Sequence, residues 1–361
     1  MAGPVVTSFA SLALLAGGIV TPAGSAAAAP AGPTAASPAA PTAWSAGPAT
    51  GGVDAAPRRC RSALRPGTTS VPVRYAGTTY RVRVHVPPQK RAQRRAPLML
   101  NLHPSSGNAR RQAELTRMDA VADRHGFVVA YPQGVLPLPP QGAPDPEGNW
   151  AWNVPNVPTT AGQLPPPGSR DDVAFLRKVV ADLVSRGCLD ARRVYSTGFS
   201  GGARMSSALA CHASDVVAAV APVAGVRAGR PEPEATSRPE EADCRPARPV
   251  PVVTFHGYVD QVNPFAGNGD RRWGYSVALA TERWAQLDGC RPVPVATALT
   301  PHVTRFRYGG CDRGALVERY DISDGGHTWP GAPPSLGGPG TSQEIDASST
   351  IWNVVSRHRL R

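Results

Sequence analysis

The sequence predicts an α/β fold with a mostly parallel central sheet and helices on both faces. Three observations carry that expectation. From residue 97 onward, short continuous apolar runs alternate with amphipathic stretches of helical period, which is how strands buried on both faces and their covering helices read. Two of the helical stretches stop at a glycine, Gly126 and Gly187, a residue that ends a helix in the left-handed conformation at no steric cost. The run Arg193-Val194-Tyr195-Ser196-Thr197 leads straight into a Gly-rich turn and then a small-residue helix from about Gly202.

Taken in order, Tyr80, Val82, Val84 and Val86 alternate with Arg81, Arg83 and His85, the period of a half-buried strand. Residues 71–75 are placed as its antiparallel neighbour. Residues 97–102 read as a buried strand, 110–125 as one helix and 127–131 as the next strand. Residues 171–186 form a helix with Val173, Leu176, Val180 and Leu183 on one face. Residues 216–223 and 250–255 are two further buried strands, and helical patterns follow at 272–287 and 343–358. Two Pro- and Gly-rich segments, 132–170 and 226–249, fit no element. Loops that long are functional or disordered as a rule, and Cys244 is expected to tie the second one down.

The N-terminus has a different character. Residues 5–20 are apolar and uncharged, too short for a membrane span, and Ser25-Ala26-Ala27-Ala28-Ala29 suits signal-peptidase cleavage. Residues 1–29 therefore read as an export signal, although no basic residue precedes Arg58. Residues 30–57 are Ala, Pro, Gly, Ser and Thr with almost no charge, a composition that cannot bury enough surface to fold and makes a disordered linker. One domain, 58–361, remains. Six cysteines without a CxxC pair point to disulfides and a secreted, extracellular protein. Nearness pairs Cys290 with Cys311 and Cys211 with Cys244, leaving Cys60 with Cys188.

A net charge of +12 invites a nucleic-acid reading. The basic residues, however, are nearly all Arg scattered through every segment, with Lys only at 90 and 178. The one tight cluster, at 90–95, lies between two strands as a solvated loop. No nucleic-acid partner is expected, and the oligomeric state is left open.

The catalytic signal is Gly198-Phe199-Ser200-Gly201-Gly202. A GxSxG turn between a strand and a helix is the context of a nucleophile elbow, in which the sharp turn lifts the serine hydroxyl above the sheet edge. That marks an α/β-hydrolase, whose acid and base should follow in the order Asp, then His. Asp260 stands just beyond the strand at 250–255, on the rim where such sheets carry their sites. His327 lies in Asp324-Gly325-Gly326-His327-Thr328-Trp329-Pro330-Gly331, a loop suited to an accessible imidazole. His256 is the rival base, but a His directly after a strand more often supports backbone. The expected oxyanion donors are the N–H of Gly201 and a second from the loop after residue 102. Pro104 has no N–H, so Ser105 is the choice, with Ser106 and His103 as alternatives. No cofactor is required, and no metal-ligand set appears. Asp171 and Asp172 are expected to cap a helix.

These residues resemble a known family, the secreted polyhydroxybutyrate depolymerases and feruloyl esterases close to carbohydrate esterase family 1. The resemblance runs from about residue 75 to 358. It rests on Leu102-His103, Trp150-Ala151-Trp152-Asn153, Asp171-Asp172-Val173-Ala174-Phe175, the turn at Ser200, the HGxxD segment ending at Asp260, and Gly325-Gly326-His327-Thr328-Trp329-Pro330-Gly331. It implies Ser200, Asp260 and His327 as a triad and an extracellular ester substrate, polymeric or soluble. Two departures are Pro104, where similar esterases have Gly, and Tyr258, where a small residue is usual. The expected substrate contacts are His103, Trp150, Trp152 and Trp329, flat rings suited to a feruloyl or polyester chain. No separate polymer-binding domain follows, which favours short or soluble esters. The competing readings are an acyltransferase on the same scaffold and a non-catalytic wall- or polymer-binding protein.

Overall fold

The computed structural model describes residues 64–88, 95–138 and 148–361. The export signal, the linker and Cys60 lie outside them. At the N-terminal edge, β1 (Gly67–Tyr75) and β2 (Thr78–Val86) form an antiparallel hairpin. Then come β3 (Leu98–Leu102), helices α1 (Ala109–Thr116) and α2 (Met118–His125), and β4 (Val128–Tyr131). The first long loop carries a small ribbon, β5 (Leu136–Pro137) with β6 (Trp150–Ala151). Helix α3 (Asp172–Gly187), β7 (Val194–Phe199), α4 (Gly201–His212) and β8 (Ala219–Val223) follow. A second ribbon, β9 (Pro231–Glu232) with β10 (Ala235–Pro239), occupies the other long loop. The chain ends with β11 (Val252–Gly257), α5 (Val277–Leu287), β12 (Val295–Ala298), β13 (Val303–Tyr308), β14 (Val317–Ile322), the short α6 (Pro334–Gly337) and α7 (Ala347–Val355).

Ten strands make one sheet in the order β1-β2-β4-β3-β7-β8-β11-β14-β13-β12. The six from β4 to β14 run parallel, and antiparallel strands flank them on both edges. Successive strand residues point to opposite faces, and the core divides accordingly. Leu98, Leu100 and Leu102 join Phe175, Leu176, Met205 and Trp284 from α3, α4 and α5. Met99, Val129 and Tyr131 join Ala113, Met118, Ile351 and Trp352 from α1, α2 and α7. Each such Val or Leu, fully buried, contributes about 1.5–3 kcal/mol. The expected α/β-hydrolase architecture, helices on both faces of a mostly parallel sheet, is what the chain adopts.

Three expectations need correction. The single helix at 110–125 is two, broken at Arg117 with φ 49°. The cause is Thr116, whose buried hydroxyl donates to the Gln112 carbonyl and accepts from Asn101 of β3, anchoring the first helix to the sheet. The helix expected from 272 starts only at Val277. Before it, Asp270 folds the chain into a turn by accepting the N–H groups of Arg272 and Trp273, and Ser276 then caps the helix. The helix expected over 343–358 is confined to Ala347–Val355, with Asp346 as its cap.

The two nearby cysteine pairs, Cys211–Cys244 and Cys290–Cys311, are formed, so Cys244 does pin the second long loop, to α4. Cys188 is disulfide-bonded as well. The first long loop is held by a different device. Asp171 caps α3 through the Ala174 N–H, while buried Asp172 accepts the Asn153 N–H and the Arg170 guanidinium. Among the described residues, no helix is long and apolar enough to cross a membrane.

Candidate active site

Ser200 sits between the end of β7 and the first turn of α4 at φ 53°, ψ −111°, a conformation non-glycine residues avoid and functional sites retain. Such a turn leaves no room for side chains beside it. A Cβ at Gly202 would stand 2.1 Å from the Leu102 carbonyl oxygen, so helix and strand close on each other only with glycine there. The Ser200 N–H is held by the Val223 carbonyl at 2.9 Å.

Asp260 lies in the turn after β11. Its Oδ1 accepts the N–H groups of Val262 and Asn263, both at 2.8 Å. Its Oδ2 accepts from His327 Nδ1 at 2.7 Å and faces His256 Nε2 at 3.3 Å. Burial alone would raise this carboxyl. The hydrogen bonds and charges of the two imidazoles outweigh burial and hold it below the usual carboxylate range. With Nδ1–H given to Asp260, His327 keeps Nε2 as a free base. The imidazole packs at 4.9 Å against the ring of Phe199, the residue before Ser200. The fold thus gathers onto one rim three residues separated by up to 127 positions in the chain (327 − 200).

His256 is not a second base. Its side chain is buried, and Nε2 donates to the Asn263 carbonyl at 2.8 Å. Asn263 itself was missed from the sequence. It holds Asp260 by its N–H, bonds the Ala224 carbonyl through Nδ2 at 2.7 Å, and so ties the acid's turn to the end of β8. Its position three residues after an Asp was the available signal, since Asp side chains bind backbone a few residues on.

The oxyanion side has a similar economy. A Cβ added at Gly201 would stand 2.9 Å from the Ser105 backbone nitrogen and 2.5 Å from its hydroxyl, so the two expected donors lie side by side. Ser106 is committed elsewhere, donating to the Trp150 carbonyl at 3.0 Å. Pro104 instead closes a tight turn, accepting from Gly107.

The expected substrate contacts are largely corrected. His103 is fully buried: Nδ1 donates to the Pro104 carbonyl, Nε2 accepts from Gly134 N–H, and burial pushes the imidazole down to about 4. It is a neutral pin for the oxyanion loop. Trp152 is buried too, its ring tilted against His103 at 4.9 Å and its indole N–H donating to the His103 carbonyl at 2.8 Å. Trp329 is core, with its indole N–H on Ser348. Only Trp150 is partly exposed. Tyr258 is half-exposed and turns its hydroxyl to Asp321 at 3.0 Å. Nothing in the residue type distinguishes a core tryptophan from a cleft tryptophan, which is why Trp150, Trp152 and Trp329 read alike in the sequence.

The mostly parallel sheet with helices on both faces, and a strained serine on the turn between β7 and α4, define the class: an α/β-hydrolase fold. A family model described as esterase PHB depolymerase matches residues 80–267, and the chain belongs to that family. Feruloyl esterase B of Piromyces equi is 31% identical over 238 residues, 64% of this chain and 39% of that protein's length. NocK of Nocardia uniformis subsp. tsuyamanensis, named as an esterase, is 31% identical over 283 residues, 73% of this chain and 74% of that one. The solved structure of native pOPH shares the fold with a TM-score of 0.52 at 15% identity, over 82% of this chain and 88% of that one.

Proposed function

We propose that the protein is a secreted serine esterase that works through an acyl-enzyme on Ser200. The hydroxyl attacks the ester carbonyl while His327 Nε2 takes its proton. Asp260 holds the imidazole in the productive tautomer and stabilises the imidazolium. The N–H groups of Gly201 and Ser105 receive the oxyanion, His327 returns the proton to the departing alcohol, and water, deprotonated by the same imidazole, releases the acid. One observation carries this reading: the 2.7 Å bond from His327 to a buried carboxylate, with the ring packed against the residue that precedes a strained serine. The family name and the Piromyces relative favour 3-hydroxyacyl or feruloyl esters, with Trp150 as the aromatic contact. Secretion is supported by the paired cysteines, which persist in oxidising compartments.

The test is hydrolysis of short p-nitrophenyl esters, methyl ferulate and a 3-hydroxybutyrate oligomer by the purified protein and Ser200→Ala. Serine-dependent turnover supports the esterase, and the best substrate names the acyl group. Turnover that survives in Ser200→Ala removes the acyl-enzyme, and none on any ester favours a binding protein.

A further inference from the structure

A second polar centre lies one helical turn along α4 from Ser200, at Arg204. There α4, the 154–157 loop and the segment after β8 line a small pocket with about 20 Å³ of space for the centres of water-sized groups. Its walls include Val154, Val157 and Ala208, and two arginines, Arg204 and Arg227, reach into it. Both are almost entirely buried, at 4% and 5% exposed. Arg204 Nε and Nη1, and Arg227 Nε and Nη2, meet no hydrogen-bond acceptor among the described residues.

The neighbouring charges make this unusual. Arg230 lines the same pocket, but its Nε donates to Glu240. Arg272 donates to Asn263 and to the Val262 carbonyl. Asp243, the carboxylate at the pocket, is taken by the Arg230 backbone N–H at 2.8 Å. Asp270 is taken by the N–H groups of its own turn. Arg227 lies over Trp273, 3.0 Å from its ring centre, and beside Tyr275 at 4.5 Å. Aromatic rings stabilise the flat face of a guanidinium but offer nothing to its N–H rim. Burial pushes both arginines down to about 9, which leaves them charged at neutral pH. Two buried cations without a counterion are strongly disfavoured.

We infer that this pocket binds a small carboxylate anion between the guanidinium groups of Arg204 and Arg227. A carboxylate presents two coplanar oxygens to the N–H forks of arginine, and the Val154, Val157 and Ala208 walls accept a short alkyl group behind it. The Arg204 N–H bonds the Ser200 carbonyl at 3.0 Å, so an occupied pocket bears directly on the helix turn behind the serine. If the esterase reading holds, the ligand is also of the class the reaction releases. The site itself does not depend on that reading.

The test is a titration of the full chain with sodium acetate against sodium chloride at equal ionic strength, followed by thermal unfolding and calorimetry. The expected result is saturable acetate binding with a rise in Tm of about 3 °C or more near saturation, lost in Arg204→Met and in Arg227→Met. Ala208→Leu, which fills the pocket and keeps both charges, should abolish it as well. An acetate response that never saturates, that chloride reproduces, or that survives Ala208→Leu overturns the site even where the arginine variants fail to fold. A kinetic arm separates the two sources of the carboxylate. A lower KM for mono-p-nitrophenyl succinate than for p-nitrophenyl butyrate, abolished in Arg204→Met, assigns it to the substrate. Equal KM values beside a saturable acetate response assign it to a free acid.

Discussion

Two buried aspartates in neighbouring parts of the sheet end in opposite charge states. Asp260, in the turn after β11, has two backbone N–H groups on one oxygen and two imidazoles facing the other. Its carboxylate stays ionised. Asp288, at the C-terminal end of α5, receives one N–H, from Val250 at 2.7 Å, and its Oδ2 meets no donor among the described residues. There burial wins and pushes the carboxyl up to about 8, so it is largely protonated at neutral pH. Burial is common to both, so it does not decide the charge. The number of donors aimed at the oxygens does. The first arrangement suits chemistry, because an imidazolium needs a fixed negative partner. The second suits packing, tying the start of the β11 segment to the end of α5.

That contrast can be broken at either end. The largest expected effect is Asp260→Asn, which keeps the size but returns the wrong tautomer to His327. It should lower kcat by about 10³–10⁴-fold with little change in KM, measured on whichever ester proves best. A variant within tenfold of the parent would sink Asp260 as the orienting acid. Next comes the clamp beside Asp288. Cys290 and Cys311, 21 residues apart, are bonded to each other, and replacing both by Ser should cost about 3 kcal/mol in denaturant unfolding while leaving kcat intact. A large kcat loss there would mean that the edge and the site are coupled.

The smallest effect is Asp288→Asn. The folded pKa of Asp288 lies above that of the unfolded chain, so its contribution is complete below about pH 4 and is lost as the pH rises towards about 8. The amide still accepts from Val250 and cannot ionise. The variant should therefore be more stable than its parent at pH 8, with no comparable gain at pH 4. Equal parent–variant differences at the two pH values would show that the carboxyl is ionised in the fold. Asp260 has the opposite sign. Its depressed carboxyl adds stability above the usual carboxylate range, and that stability is lost as the pH falls through and below it.

Much of the fold was legible because its strands are extreme. Leu98–Leu102, Val194–Phe199 and Val252–Gly257 are buried along their whole length, as strands covered by helices on both faces are. The errors came where one side chain redirected the backbone. Thr116 broke a helix by bonding to a strand residue, and Asp270 delayed another by forming a turn. Both bonds depend on partners or geometry that periodicity does not encode. In the site, Ser200, Asp260 and His327 could be chosen because each sits in a sequence context that serves its chemistry. Asn263, whose bonds to Asp260 and Ala224 span two strand ends, could not.

By itself, then, the sequence determined the alternation of strands and helices, the Gly-rich turn around Ser200 and the chain order of the three polar residues, since these follow from local pattern and sterics. Tertiary structure alone decided which tryptophans are core, which histidine faces Asp260 through Nδ1, which aspartate is charged, and that two arginines share one pocket. Each of those depends on how many donors, acceptors and apolar atoms surround a group, and the neighbours come from segments far apart in the chain.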